Sequence, residues 1–277
     1  MNQEDVQKLS NAANAKITLL KNDFFKYFMR AIMAGFFIVV AMIFSNVVGN
    51  VFSGAEEPAW GKFLGALVFS IAVLLISLVG GELFTGNNLV MAFGAFDKKI
   101  SWGDAAKVWV VSYIGNFVGC LILSLIFVWA GASGTADYFA GFINGKLSIP
   151  AGQMFFRAVL CNFFVCLAVL CGIKLKSESG KFLMIVICIS GFVVSGFEHC
   201  VANMYYIPAG LLAKHGEAYY NAAIMAGMTP DQLNSMTVGK FFLNNLLPVT
   251  LGNIVGGVVF VALPLYLIYR NKNKAEA

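Results

Sequence analysis

The sequence predicts an all-α membrane protein with six transmembrane helices in two inverted three-helix repeats, in which spans two and five are broken. Composition is the first observation behind this prediction: of 277 residues, 59% are hydrophobic and 12% are charged, and the mean hydropathy is +0.79. Ordinary soluble domains do not have this composition. The second observation is that charges fall between long apolar stretches, and the third is that short motifs recur in both halves of the chain.

Residues 1–29 are predicted to form a cytoplasmic amphipathic helix. Apolar residues recur at helical spacing from Val6 to Phe24, which is typical of a helix with one apolar face. We expect this helix to lie on the membrane or against a neighbouring subunit. No apolar signal-peptide region precedes Ala31, so the first span is expected to direct membrane insertion. A six-span domain is predicted at 30–270 and a cytoplasmic tail at 271–277.

Two apolar stretches indicate broken spans. Residues 63–96 are interrupted only by Glu82, and residues 182–213 only by Glu198 and His199. A straight crossing needs about 20 residues, so each stretch is too long for one helix and too short for two spans with a turn. Non-helical backbone is tolerated at membrane depth where it is surrounded by protein or lines a cavity. We therefore predict that each stretch is a helix, a break and a second short helix.

The positions of basic residues support six spans rather than eight. With six spans, fourteen of the nineteen Lys and Arg residues lie on the side of both termini, whereas eight spans would mix the two sets. The positive-inside rule then places both termini in the cytoplasm of a multi-pass plasma-membrane protein. The five basic residues on the other side are Lys62, Lys146, Arg157, Lys214 and Lys240.

Internal similarity indicates the two repeats. Residues 30–38 match 157–165, each beginning with Arg-Ala, and Gly-Asn-x-Val-Gly occurs at both 115–119 and 252–256. An odd number of spans per copy inverts the second copy, and paired broken helices in inverted repeats indicate a transport pathway. Glycines four residues apart in the second motif are expected to let spans three and six pack closely against their neighbours. The repeats are placed at 30–136 and 150–270.

The ionisable residues inside the apolar stretches all lie at the two breaks. A charge in the bilayer centre costs several kcal/mol, so Glu82, Glu198 and His199 indicate function. A neutral imidazole both donates and accepts hydrogen bonds and takes up a proton near neutral pH, which suits a path for anions or weak acids; the alternative is that His199 only ties the break together. Glu198 would repel an anion, so we interpret it as orienting His199 or capping the next half-helix.

Thr85 lies directly after the first break. Its hydroxyl and the nearby backbone N–H groups are suited to replace part of an anion's hydration, and a helix cap is the alternative. Apolar residues near the breaks either form dry constrictions or are ordinary packing residues. Those on the adjoining helices are Phe69, Val73 and Phe192, and those beside Thr85 are Leu83 and Phe84.

The segments Glu82-Leu-Phe-Thr-Gly-Asn87 and Gly196-Phe-Glu-His-Cys-Val-Ala-Asn-Met-Tyr-Tyr-Ile-Pro-Ala-Gly210 together resemble the paired signature of the formate/nitrite transporter family. The resemblance extends over residues 20–270. It implies an aquaporin-like protomer that assembles as a homopentamer in the lipid bilayer. It also implies that each protomer has its own pathway for small monovalent anions such as formate, nitrite or hydrosulfide, with protons as a further cargo.

The resemblance also implies roles for individual residues. His199 would be the central histidine, supported by Glu198 and Asn203, and Thr85 would be the mobile residue opposite it. Lys146 would be the basic residue of the outer vestibule, in an otherwise apolar loop. Further pathway residues would be Asn162 and Asn253, and the constrictions would be formed by Leu83, Phe84, Phe69, Val73 and Phe192.

We therefore expect a channel or transporter in which His199 stabilises or protonates an anion between hydrophobic slits, with formate as substrate and nitrite or hydrosulfide as alternatives. A neutral-solute channel of the aquaporin type is disfavoured because no Asn-Pro-Ala occurs. An intramembrane enzyme is disfavoured because there is no HExxH, second intramembrane His or intramembrane Asp pair. We expect no catalytic residue, metal, cofactor or nucleic-acid partner. The six Cys residues contain no CxxC and are interpreted as packing residues.

Overall fold

The computed structural model describes residues 1–52, 59–131, 136–225 and 227–270, and these residues contain helices, turns and loops but no β-strand. The predicted tail at 271–277 lies outside them. In chain order the helices are α1 (Gln3–Asn22), α2 (Phe24–Val51), α3 (Ala59–Phe69), α4 (Ile71–Val79), α5 (Phe84–Phe96), α6 (Trp102–Trp129), α7 (Ala136–Ser148), α8 (Ala151–Lys174), α9 (Glu178–Val194), α10 (Cys200–Ala213), α11 (Glu217–Met225), α12 (Pro230–Ser235), α13 (Val238–Lys240), α14 (Leu247–Gly257) and α15 (Leu263–Tyr269). Two π-helical segments, Phe241–Leu246 and Val258–Ala262, join the last three.

Five helical segments of the described residues are long and apolar enough to cross a membrane: Phe24–Val51, Ala59–Val79, Trp102–Trp129, Ala151–Lys174 and Val238–Tyr269. The remaining predicted span is divided between α9 and α10. The predicted breaks in spans two and five are confirmed, at residues 80–83 and 195–199. Before the first break, α3 and α4 together are already long enough to cross the membrane, so this part of span two is longer than we expected.

The first span begins earlier than the predicted boundary at residue 30. Asn2 and Asp5 form a capping box at the start of α1, which ends at Asn22. Asp23 then caps α2 by accepting the backbone N–H of Lys26. A new N-cap begins a separate helix, so residues 24–29 belong to α2 rather than to the N-terminal helix.

The N-terminal helix packs against α5 of its own protomer, a contact that the expectation of a helix on the membrane or on a neighbouring subunit did not include. Leu9, Ala13 and Ile17 are buried in one apolar cluster with Leu89 of α5. A Cβ at Gly94 would collide with the Cβ of Ala13. The close approach of two small residues lets α1 cover α5, which is buried along almost its whole length.

Glycines allow close packing of spans three and six, as predicted. A Cβ at Gly119 of α6 would collide with the carbonyl oxygen of Ile32 in α2, and a Cβ at Gly256 of α14 would collide with the carbonyl oxygen of Val159 in α8. Backbones that approach this closely exclude any larger residue. Span three therefore packs on span one, and span six packs on span four, through equivalent contacts.

Candidate functional site

The two breaks have the same backbone arrangement. The N–H of Glu82 donates to the carbonyl oxygen of Arg30 at 3.1 Å, and the N–H of Glu198 donates to that of Arg157 at 3.4 Å. Two residues before each Glu, a glycine has a left-handed backbone that other residues rarely adopt. These glycines are Gly80, with φ 83°, and Gly196, with φ 69°. The matched sequences at the starts of spans one and four therefore hold matched breaks.

Asn116 of α6 fastens the first break. Its Nδ2 donates to the carbonyl oxygens of Ala31 at 2.8 Å and Glu82 at 2.9 Å, and its Oδ1 accepts the N–H of Phe84 at 2.9 Å. A backbone group freed by a break needs a partner when it is buried. Asn116 therefore supplies the hydrogen bonds that an uninterrupted helix would make internally.

Asn253 of α14 makes the same three bonds at the second break. Its Nδ2 donates to the carbonyl oxygens of Ala158 at 2.8 Å and Glu198 at 3.0 Å, and its Oδ1 accepts the N–H of Cys200 at 2.9 Å. Asn253 was expected in the solute pathway, whereas the structure commits its amide to backbone groups. Asn116, its counterpart, had no predicted role, although the repeated Gly-Asn motif was the signal for it.

His199 and Thr85 meet where the two breaks face each other. Nε2 of His199 lies 2.9 Å from Oγ1 of Thr85, and both side chains are buried. Thr85 is the second residue of α5, whose N-cap Leu83 makes no side-chain cap bond. The hydroxyl of Thr85 therefore bonds to the opposite break and is not a helix cap.

The other ring nitrogen determines the tautomer of His199. Nδ1 lies 3.1 Å from the backbone N of Ala202, because His199 is the N-cap of α10. A backbone N–H only donates, so Nδ1 must be the acceptor, and the neutral imidazole carries its hydrogen on Nε2. Nε2 then donates to Thr85, which leaves the hydroxyl hydrogen of Thr85 available to another acceptor. Adding a proton to Nδ1 would end the bond to Ala202.

Apolar rings lie directly beside His199. The ring of Phe192 is stacked with the imidazole at a centroid distance of 5.9 Å, and it meets the ring of Phe69 edge-on at 6.1 Å. All three side chains are almost completely buried. The predicted constriction residues Phe69 and Phe192 are therefore placed together against the imidazole.

Glu198 contacts a lysine rather than His199. Its Oε1 accepts from Nζ of Lys146 at 2.8 Å, and its Oε2 accepts from Nδ2 of Asn203 at 2.8 Å. Nδ2 of Asn203 also donates to Oδ1 of Asn245, at 2.8 Å. The side chain of Glu198 neither contacts His199 nor caps α10, because His199 is the N-cap itself; Glu198 joins Lys146 of α7 to the side chain of Asn203 in α10.

Lys146 lies in a helix, whereas the sequence predicted a loop. It is in the last turn of α7, where Ile143 and Leu147, four residues apart, are both buried. This spacing gives α7 an inward apolar side. Its Nζ reaches Glu198 from the edge of that side, and the lysine side chain is only 12% exposed.

An equivalent cluster surrounds Glu82. Its Oε2 accepts from Nζ of Lys16 at 2.6 Å, from the hydroxyl of Tyr27 at 3.2 Å and from Nδ2 of Asn87 at 3.3 Å. Lys16 belongs to α1, so the N-terminal helix supplies the cation for the first break as α7 does for the second. Lys16 and Tyr27 had no predicted role, although a buried carboxylate requires such a partner.

Two cavities approach the His199–Thr85 pair. The His199 cavity, of about 480 Å³, is bordered by Phe69, Phe192 and His199. The Glu82 cavity, of about 550 Å³, is bordered by Val73 and Leu83. Phe69 borders the first cavity and Val73, four residues later, borders the second, so apolar side chains lie between the two; His199 borders the first cavity, whereas Thr85 borders neither.

Phe84 and Asn162 face other surroundings. The ring of Phe84 meets that of Tyr113 at 4.9 Å and borders an apolar groove between α6 and α14; this differs from its predicted place in the constriction because neighbouring residues at a helix start point about 100° apart. Asn162 is buried. Its Nδ2 donates to the carbonyl oxygen of Asn253 at 2.7 Å and to Oδ1 of Asn88 at 3.0 Å, so it connects α8 to α14 and α5.

Two cavities of about 480 and 550 Å³ lie on either side of apolar side chains, next to a buried imidazole that is hydrogen-bonded to a hydroxyl. This arrangement is that of a membrane channel or transporter for small solutes. A sequence model described as formate/nitrite transporter matches residues 3–267, and the chain belongs to that family. Its relatives include the formate channel FocA of Escherichia coli K12, 34% identical over 262 residues that cover 90% of this chain and 88% of that protein. The nitrite transporter NirC of the same strain is 30% identical over 96% of this chain and 92% of that protein.

A solved structure described as a pentameric formate channel with formate bound has a TM-score of 0.78 to this chain. It is 33% identical, and the match covers 89% of this chain and 98% of that one. The resemblance inferred from the two breaks and the predicted six-span fold are thereby confirmed. The protein is a multi-pass membrane protein of a family of channels and transporters, which fits the expectation that it is not an enzyme.

Proposed function

We propose that the protein is a transmembrane channel for small monovalent anions and that formate is its substrate. The observation that carries the proposal is the His199–Thr85 hydrogen bond in the apolar layer between two cavities. The imidazole and the hydroxyl are donors at the point where an anion would lose most of its water. The 34% sequence identity with a formate channel and the structural similarity to a formate-bound channel support formate as the substrate.

In the proposed mechanism the anion sheds water at Phe69 and Phe192 and meets the free hydroxyl hydrogen of Thr85. Nε2–H of His199 is a second donor, and electrostatic stabilisation is strong in a site of low dielectric. A proton that His199 takes up and passes to the anion lets the neutral acid cross the apolar layer. The imidazole returns to its neutral form, so the net cargo is one anion and one proton.

We also propose that the protein is a homopentamer in the plasma membrane with both termini in the cytoplasm. The relative described as pentameric supports the assembly. Large apolar side chains such as Phe44, Ile114 and Phe260 are exposed on the protomer surface, and lipid or neighbouring subunits would cover them. The distribution of Lys and Arg supports the orientation. On this topology the His199 cavity opens outside and the Glu82 cavity opens inside.

Uptake of formate, nitrite and hydrosulfide into proteoliposomes at two pH values tests the proposal. We expect the uptake rate of formate to be the highest of the three. In the His199→Ala variant we expect that rate to be at least tenfold lower. His215→Ala is the matched control, since His215 is the other histidine and is exposed. If nitrite is taken up faster than formate, nitrite is the substrate; the 30% sequence identity with NirC makes it the second candidate. A wild-type protein that passes none of the three anions would contradict the proposal.

A further inference from the structure

Lys146, which was predicted to attract the anion, and its counterpart Lys16 in the other cavity are both paired with a carboxylate. In the His199 cavity, Lys146 is paired with Glu198 at 2.8 Å. In the Glu82 cavity, Lys16 is paired with Glu82 at 2.6 Å, and a contact as short as this largely cancels the field of the ammonium group. Neither lysine is therefore the main attraction for an entering anion.

Each cavity also contains an arginine. Arg30 borders the Glu82 cavity and Arg157 borders the His199 cavity. Among the described residues that border the Glu82 cavity, the two carboxylates are each paired with a lysine, Glu82 with Lys16 and Glu178 with Lys181. Arg30 is then the cation that remains uncompensated in this set. In the His199 cavity the one carboxylate of the described lining, that of Glu198, is paired with Lys146, so Arg157 and the exposed Lys62 are the two cations of this lining without a carboxylate partner.

The two arginines occupy equivalent places. Each is the seventh residue of its helix, α2 or α8, and the carbonyl oxygen of each accepts the N–H of the break glutamate. Both residues are partly exposed, and each borders its cavity. The arginine position therefore recurs in both repeats, with the same backbone contact and beside a cavity in each.

We propose that Arg30 and Arg157 form two matched binding subsites, one in each cavity, for small anions with two oxygen atoms on one centre. A guanidinium offers two parallel N–H donors that match the paired oxygens of a carboxylate, and formate and nitrite have such a pair whereas hydrosulfide does not. The inference rests on the proposed function as an anion channel. It adds that the arginines, and not Lys146, collect the anion and prefer two-oxygen anions.

Initial rates against anion concentration test the proposal in the full-length protein. Intact cells and inverted membrane vesicles present opposite faces, in a host without its own formate transporters. We expect Arg157→Gln to raise KM for formate about tenfold for entry from the His199 cavity and Arg30→Gln to do so for entry from the Glu82 cavity, since local charge raises anion concentration by at least about that factor. Vmax should change less than KM. In each variant, KM for entry from the opposite face should stay at the wild-type value.

Lysine variants separate charge from geometry. Arg157→Lys and Arg30→Lys keep the charge but lose the paired donors, so KM for hydrosulfide should stay near the wild-type value while KM for formate and nitrite rises. Should a Gln variant fail to fold, this comparison of anions decides alone. Lys240→Gln and Lys174→Gln remove basic residues outside the described lining of both cavities and should change neither KM.

Two results would overturn the subsites. One is an unchanged KM for formate in Arg30→Gln and Arg157→Gln with intact flux, which leaves the proposed channel function standing. The other concerns Arg30, which also borders a groove with Phe25 and Met29 on the protein surface. If its effect on KM occurs in reconstituted vesicles that contain phosphatidylglycerol and disappears in pure phosphatidylcholine, the group bound there is the headgroup of an anionic lipid. If the wild-type protein passes none of the anions, both the proposed channel function and the proposed subsites are refuted.

Discussion

Nε2 of His199 and Oγ1 of Thr85 lie 2.9 Å apart, although the two residues are 114 positions apart in the chain. The bond joins the two broken spans at their breaks. It also assigns the hydrogens, since Nδ1 of His199 accepts from the backbone N–H of Ala202. The hydroxyl hydrogen of Thr85 therefore remains available to the anion in the proposed pathway.

Replacing Thr85 by Val keeps the shape of the side chain and removes the hydroxyl. We expect flux of formate to fall roughly ten- to hundredfold, because a hydrogen bond to a charged group contributes about 1.5–3 kcal/mol. Anion flux into proteoliposomes measures the effect. Thr85→Ser retains the hydroxyl and is the control. Flux in Thr85→Val equal to that of Thr85→Ser would show that the hydroxyl does not contact the anion.

Replacing Asn253 by Ala should destabilise the protein. The buried carbonyl oxygens of Ala158 and Glu198 and the N–H of Cys200 would lose their partner, at about 1–3 kcal/mol for each unsatisfied group. Thermal unfolding of the purified protein in detergent measures the loss.

Asn116→Ala removes the equivalent bonds at the first break and should lower the unfolding temperature similarly. Asn234→Ala, at an exposed position of α12, is the control. A stable Asn253→Ala protein with altered anion selectivity would instead return Asn253 to the pathway.

Removing the charge of Lys146 should cost more than removing it together with its partner. Lys146→Met leaves the carboxylate of Glu198 buried and unpaired, which costs about 3–5 kcal/mol, whereas Lys146→Met with Glu198→Gln removes both charges and should recover much of the loss. Urea or thermal unfolding of both variants tests this. Lys8→Met breaks an exposed ion pair with Glu4 and should leave stability unchanged. Equal losses in the single and double variants would refute the pairing.

Gly256→Ala should destabilise the contact between α14 and α8. The added Cβ meets the carbonyl oxygen of Val159, and overpacking of this kind costs about 1–3 kcal/mol. The unfolding temperature and the oligomeric state by size-exclusion chromatography report the effect. Gly145→Ala in α7 is the control, since open space surrounds that Cβ and alanine favours a helix by up to about 1 kcal/mol. A harmless Gly256→Ala would mean that the helices separate without cost.

Features encoded over short distances in the chain were predictable. Hydropathy located the spans, because a bilayer rejects charge wherever it crosses. The interruption of apolar stretches located the breaks and the ionisable residues within them. The capping box of Thr229 and Gln232 is a local feature of the same kind, since both of its bonds join residues three apart.

Contacts between distant segments were not predictable in the same way. Apolar periodicity identifies a face of α1 but does not identify α5 as its partner. The polar residues near the breaks suggested a pathway, yet Asn253 holds backbone groups and Phe84 faces an apolar groove. A polar residue in a span satisfies buried backbone or meets a solute, and the sequence pattern is the same in both cases.

By itself the sequence determined the membrane class, the six spans, the two breaks and the residues placed at them, because each follows from the exclusion of charge from lipid or from a local backbone requirement. Only the tertiary structure decided which groups meet: His199 with Thr85, Glu198 with Lys146 and Glu82 with Lys16. It thereby also decided which cations remain for an anion. Pairing depends on how helices far apart in the chain pack, and hydropathy carries no information about the choice of neighbour.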